Sequence, residues 1–314
     1  MNYTVYNMNA LNAKHPPKEI DGFIFFSTLE ERSWSIIEFM NKNSNSPEQV
    51  LAIKSSKDDE SIESKYEDYN EIKFSISTIS ELSYSNMIEC LKDIHKYLID
   101  KNIIGIDISV MPIPLFSQIL HLIVEKHSAK KIIVYYTEPK HYNLDNIFDY
   151  SGNDGEVKIN TIPGFEGITA RPKSQKRIIF YIMGFEVNYL NKKIPQDTNP
   201  DRIIPINGFP SYFPKYKDIS LINNNVNYHE NDIQIIFSEA NNPFETFNRI
   251  HFLANKYNEY CIDIIPAGSK PMALGACLFA LRNGQHDIRV LYPFPEKYKK
   301  HQSLGAGTIW EYVL

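Results

Sequence analysis

The sequence predicts an α/β protein of two consecutive halves, each a Rossmann-like, mainly parallel sheet flanked by helices. Three observations predict it. Short apolar runs alternate with longer amphipathic ones along the chain. The runs are nearly continuous in Ile, Val, Phe and Tyr, the pattern of strands covered on both faces. The alternation breaks once, at Tyr142 to Lys176, in a stretch rich in Asn, Asp, Gly and Pro. A strand–helix–strand rhythm of this kind builds parallel sheets with right-handed crossovers.

The N-terminal half is assigned residues 1–145. Gly22 to Ser27 (GFIFFS) reads as a buried strand. Glu31 to Asn41 follows as a helix, with Trp34, Ile37 and Met40 at helical spacing. Gln49 to Ile53 is a second strand. Lys54 to Tyr69 is rich in Ser, Asp, Glu and Lys and is expected to be a solvated, mobile loop. Glu71 to Ile79 is a third strand and Tyr84 to Ile99 a helix. Ile103 to Ser109 (IIGIDIS) is a nearly continuous apolar strand. Pro112 is placed at the first turn of a helix to Lys126, where its missing N–H costs little. Lys131 to Thr137 (KIIVYYT) completes the half.

Residues 146–176 are read as a connector and 177–314 as the second half. Arg177 to Met183, Ile203 to Asn207 and Ile233 to Ser238 read as strands, and Pro243 to Lys256 as a helix. Tyr260 to Pro266 is a strand, Ser269 to Asn283 a helix and Ile288 to Tyr292 the last core strand. The tail, Gly307 to Leu314, alternates and is expected to add an edge strand.

Composition narrows the function. The chain has 314 residues, 43% of them hydrophobic, and a formal net charge of -5. No long Lys/Arg stripe is present, which argues against a general nucleic-acid coat but leaves room for a small anion. The cysteines, Cys90, Cys261 and Cys277, form no CxxC pair and read as buried thiols. Residues 1–17 are polar and carry no signal-peptide pattern, and no apolar run reaches bilayer length, so a cytoplasmic protein without membrane contact is expected. The histidines form no HxxxH or HExxH pair, and GxGxxG, GxxxxGK[ST] and GxSxG are absent. Nothing calls for a metal or a cofactor.

In open α/β sheets ligands bind beyond the carboxyl ends of the strands, so the residues after each strand are the candidates. After the first strand come Ser27, Glu30 and Arg32. Arg and hydroxyls at such a junction grip phosphate, with Glu30 orienting the Arg; the same segment also resembles a capping box. Asp107 and Ser109 follow the fourth strand. Asp107 sits among apolar neighbours and needs a partner, either a ribose hydroxyl or Arg32. Glu138 follows the fifth strand. After Ile233 to Phe237 comes Ser238-Glu239-Ala240-Asn241-Asn242-Pro243, a run that suits a helix cap and also a base or ribose edge, with Glu239 and Asn241 as its ligand candidates. Gly184-Phe185-Glu186 and Asn207-Gly208-Phe209-Pro210 set glycine beside an aromatic, which packs in a core or stacks on a base.

The most informative segment is Pro266-Ala267-Gly268-Ser269-Lys270-Pro271-Met272. Gly268 allows a tight turn and close approach. Ser269 is placed to cap the following helix, whose N-terminus favours a phosphate, and Lys270 adds a charge. A plain strand-to-helix turn has the same chemistry. The segment resembles the G-[ST]-K-x-M turn of the CRISPR-associated Rossmann-fold (CARF) sensors. Gly268, Ser269, Lys270 and Met272 match the turn, and Ala273, Gly275 and Ala276 its small-residue helix. Ser269 stands where Thr is more usual and Ala267 where Gly is common. The resemblance spans about one strand–helix–strand unit. It implies binding of cyclic oligoadenylates or related messengers, usually across a dimer axis, with the signal passed to an effector.

The expected function is therefore a nucleotide-sensing module, with a cyclic oligonucleotide as one candidate ligand and antiviral defence implied by the resemblance alone. Its partners would be a second copy or a separate effector protein. The alternative is a nucleotide-processing enzyme, a phosphodiesterase or nucleoside/nucleotide hydrolase, using carboxylates among Glu30, Asp107, Glu138, Glu166, Glu186 and Glu239. A scaffold subunit of a larger complex is the third reading. The lack of a paired catalytic motif favours the sensor.

Overall fold

The computed structural model describes residues 4–7, 20–43, 46–47, 49–55, 62–79, 84–126, 131–142, 153–167, 175–186, 200–224, 234–283, 287–298 and 303–314. The chain divides into two units, Met1–Asn143 with Ser303–Leu314, and Leu144–Gln302. The expectations that fall on residues 56–61, 143–152 and 168–174, and on Ile233 and His301, lie outside the described residues.

The first unit is built on β1 (Thr4–Asn7), β2 (Gly22–Ser27), α1 (Glu31–Lys42), β3 (Gln49–Ser55), α2 (Glu63–Glu67), β4 (Lys73–Ile79), α3 (Tyr84–Leu98), β5 (Ile103–Asp107), α4 (Ile113–Lys126), β6 (Lys131–Tyr142) and β13 (Ser303–Val313). Its sheet runs β1-β13-β6-β5-β2-β3-β4. The strands from β2 to β6 are parallel; β13 is antiparallel to β6 and β1 to β13. β2 is buried along its whole length, as its apolar run requires. α1 covers one face by burying Trp34, Ile36, Ile37 and Met40 against Phe23, Phe25 and Tyr135.

The second unit holds β7 (Asn153–Thr161), β8 (Arg177–Ile182), β9 (Arg202–Gly208), α5 (Pro214–Asn223), β10 (Ile236–Ser238), α6 (Pro243–Lys256), β11 (Cys261–Pro266), α7 (Lys270–Arg282) and β12 (Ile288–Tyr298). Its sheet runs β10-β9-β8-β11-β12-β7. All pairs are parallel except β12 with β7. β8 and β11 are buried throughout. A buried ion pair, Arg289 to Asp263 at 2.9 Å, joins register partners on β12 and β11. The two units share one design, a parallel five-strand core of the same order with antiparallel strands beyond its fifth strand.

Both halves are thus Rossmann-like α/β sheets, but four boundaries differ from the sequence reading. The tail does not belong to the 177–314 half: β13 lies in the first sheet between β6 and β1, and is no edge. Ile309 and Tyr312 bury there, and pairing with β6 captures the tail. The 146–176 connector contains β7, whose Val157 and Ile159 join the second core. Within the expected solvated loop at Lys54 to Tyr69, residues 63–67 form the short helix α2, whose residues stay unburied, while Tyr66 and Tyr69 pack on Trp34 at 5.3 and 5.7 Å. β6 continues past Thr137 to Tyr142, so Glu138 lies within a strand instead of after one. Among the described residues no helix is long and apolar enough to cross a membrane.

Candidate functional site

Strand order fixes where a crevice opens. In the second unit β9 and β10 lie on one side of β8, and β11 and β12 on the other. The chain therefore leaves β8 and β11 in opposite directions along the sheet, the switch point at which ligands usually sit in such folds. In the first unit the same reversal falls between β2 and β5.

At the second unit's reversal stands the Gly268 turn. Ser269 is the N-cap of α7, with extended backbone, and its Oγ accepts from Met272 N at 3.4 Å. The same hydroxyl donates to the Ala240 carbonyl, which also accepts from Tyr212 Oη at 2.9 Å. Ala240 N donates to Pro210 O at 3.0 Å. The loops after β9, β10 and β11 are thereby tied at one residue. Within the run from Ser238 to Pro243, Asn242 caps α6 by accepting from Phe244 N and Glu245 N. Its Nδ2 donates to Glu239 Oε2 at 3.0 Å, while Glu239 N donates to Glu245 Oε2 at 2.7 Å. Asn241 is half-buried beside them.

Gly268 is required for a reason other than a left-handed turn, since its φ is not positive. A Cβ there would lie 2.7 Å from Ile182 Cγ2 and 3.0 Å from Met183 O. A Cβ on Gly184 would lie 2.0 Å from Ala267 O. The two glycines let the chains leaving β8 and β11 touch backbone to backbone. Met272 is buried, and its Sδ would meet a Cβ on Gly208 at 3.3 Å, so it packs under the end of β9. Gly275 brings α7 close to α6, where an added Cβ would lie 2.2 Å from Pro243 O.

Aromatic rings stand on the segments after β8 and β9 and on α5. Tyr216 meets Phe185 at 5.1 Å and Phe213 at 5.2 Å, both edge-on. Phe209 is 49% exposed, packs on Phe237 at 5.9 Å and has Lys217 Nζ 5.6 Å from its ring centre. Two residues that sequence reading missed hold the loop after β8. Asn223 Nδ2 donates to Phe185 O at 2.7 Å, and Asn224 Nδ2 to Gly184 O at 2.9 Å. Their signal is the asparagine run closing α5. Chemically, this edge combines a capped helix N-terminus, Lys270 at its first position and aromatic faces in adjoining loops. That combination suits an anion carried on a flat ring.

The first unit gathers Glu30, Arg32, Asp107 and Ser109, though differently from expectation. Arg32 is buried. Its Nη2 donates to Glu30 Oε2 at 3.2 Å and its Nε to Ser303 Oγ at 3.0 Å. Its Nη1 donates to the carbonyls of Ser109 and Thr137 at 3.1 and 3.2 Å. Arg32 and Asp107 meet at Ser109, for Asp107 Oδ1 accepts from Ser109 N at 2.8 Å and from Ser109 Oγ. Ser303, missed by sequence reading, arrives on β13. The capping box does not form. Glu30 is the N-cap without a side-chain bond, and Ser33 Oγ accepts from Thr28 N at 3.0 Å. Ser27 and Thr137 are 0% exposed, and among the described residues neither hydroxyl has a hydrogen-bond partner. Glu138 is apart from this group and accepts from Trp310 Nε1 at 2.6 Å. Burial pushes its pKa above the ordinary value, against the lowering effect of that bond.

The six carboxylates of the enzyme alternative divide between the units: Glu30, Asp107 and Glu138 in the first, Glu166, Glu186 and Glu239 in the second. Glu166 accepts from Gly164 N at 3.0 Å, a local turn contact. Among the described residues no group of three or more His, Cys, Asp or Glu is placed to hold a metal ion.

No family model matches this chain, and no curated protein matches it. A solved universal stress protein from Archaeoglobus fulgidus DSM 4304 is similar at 12% identity over 89% of this chain and 97% of that one, with a TM-score of 0.23. A likeness of that size bears on neither ligand nor activity.

Proposed function

We propose that the protein is a nucleotide-sensing module whose second unit holds a ligand phosphate at the Gly268-Ser269-Lys270 turn. One observation carries the reading: this turn stands at the strand-order reversal, capping a helix of 13 residues with Lys270 first in it. The backbone amides of the turn, the positive end of the helix dipole and the lysine charge would face the phosphate, while Pro271 has no N–H and Met272 N is held by the Ser269 cap. Phe185, Phe209 and Phe213 would face the base, with the buried Tyr216 packed against Phe185 and Phe213. The match of the turn to the CARF sensors favours a cyclic oligonucleotide messenger, and with it a role in antiviral defence through a second copy or a separate effector.

A thermal-shift screen with mono-, di- and cyclic oligonucleotides, followed by chromatography of every hit, tests the proposal. Stabilisation without turnover supports a sensor. Turnover supports a nucleotide-processing enzyme, and no response supports a scaffold subunit.

A further inference from the structure

The first unit has a feature that its own network leaves unexplained. Phe25, Asp107 and Tyr135 are register partners across β2, β5 and β6. Register partners in a parallel sheet point to one face, and the next residue on that face is two further on. Ser27 and Thr137 therefore take the next positions on that face, at the carboxyl edge, with Ser109, two residues past the end of β5 at Asp107, lying between their strands. Phe25 packs on Trp34 at 5.1 Å, so this is the face that α1 covers. The row lies beneath Arg32, which bonds the carbonyls of both Ser109 and Thr137.

Ser109 Oγ is engaged, donating to Asp107 and accepting from Thr137 N. The hydroxyls of Ser27 and Thr137 on either side are not. Each is a fully buried donor and acceptor without a partner among the described residues, which folded proteins rarely tolerate. With strands about 4.8 Å apart, the two are separated by roughly 10 Å, beyond the reach of one bridging water. Arg32 uses four of its N–H groups within the network, and a guanidinium has five. Glu30 engages Arg32 and Ser303 through Oε2, which leaves Oε1. One cation against two carboxylates, Glu30 and Asp107, disfavours a phosphate here. The spare groups match neutral hydroxyls, which both donate and accept.

We infer that the carboxyl edge of β2, β5 and β6 is a second ligand site, for a neutral polyhydroxyl group such as the ribose of a nucleoside. Ser27 and Thr137 bond its hydroxyls, and Glu30 accepts from the diol as carboxylates do from ribose in other α/β sheets. Entry runs past Glu30, whose side chain is 17% exposed, and opens the Ser303–Glu30 hydrogen bond of 2.7 Å. The inference does not rest on the phosphate site of the second unit.

Calorimetry of the full chain with adenosine, D-ribose and 2′,3′-dideoxyadenosine tests it. Adenosine and ribose are expected to bind, and dideoxyadenosine more weakly than adenosine. Thr137→Val and Ser27→Ala should each weaken adenosine about two- to tenfold, the effect of one neutral hydrogen bond. Without ligand, both variants should melt no lower than the parent, since each removes an unpaired buried hydroxyl. Lys270→Ala should leave the difference between adenosine and dideoxyadenosine unchanged. Equal binding of those two nucleosides, or a difference that survives in both hydroxyl variants, overturns the inference and leaves the row a structural feature.

Discussion

Gly184→Ala tests the contact that shapes the candidate phosphate site. The added Cβ would sit 2.0 Å from the Ala267 carbonyl oxygen and 3.7 Å from Gly268 Cα. An ordinary contact needs about 3.4 Å, so the chains leaving β8 and β11 must part by roughly 1.4 Å. Both sides are backbone, anchored in strands buried throughout. No side-chain rotation relieves the clash. Overpacking of this kind costs about 1–3 kcal/mol, and the rigid case belongs at the upper end. Gly208→Ala is the internal comparison. Its Cβ would meet Ala240 Cβ at 3.1 Å and the flexible Met272 Sδ at 3.3 Å, so about 1 kcal/mol is expected. Urea unfolding of the two variants beside the parent measures the difference. Gly184→Ala no less stable than Gly208→Ala would refute the reasoning.

Two further predictions concern ionisable groups. The folded-state pKa of Glu138 is raised by burial, so its ionisation disfavours the folded state above that pKa and has no effect well below the ordinary carboxylate range. Glu138→Gln, which keeps an oxygen for Trp310, should raise the melting temperature at pH 7–8, with the gain fading as pH falls through the carboxylate range; a pH-independent change contradicts this. All three cysteines are buried, and burial pushes the Cys90 thiol up to about 11. An Ellman-type reagent at pH 8 should titrate none of them rapidly until denaturant is added, and a fast native-state reaction would contradict the burial.

Much of the fold was legible because apolar runs such as Gly22–Ser27 and Arg177–Ile182 are buried on both faces, which leaves a local mark in composition. β13 and β7 left a weaker mark. Each is an antiparallel addition whose partner, β6 or β12, lies far along the chain, and nothing local says which sheet it joins. Tyr66 and Tyr69 were hidden by charged neighbours, although two aromatics in a polar stretch signal a segment that packs back. At the site, Ser269 was readable as a cap since the pattern is confined to a few residues. Ser303 was not, because its partner Arg32 is brought to it by the sheet. Gly268 was legible as a turn glycine, but the packing that requires it comes from the neighbouring strand β8 and not from its own dihedral angles.

The most direct test of the account is calorimetry of a nucleotide hit on the parent and on Lys270→Ala, each first shown to be folded. The substitution removes the charge and keeps the backbone amides of the turn and the Ser269 cap. The account predicts that binding weakens without vanishing, by about 1–3 kcal/mol, the range of a charged hydrogen bond. Equal affinity for the parent and Lys270→Ala would contradict it and leave the turn a helix cap alone.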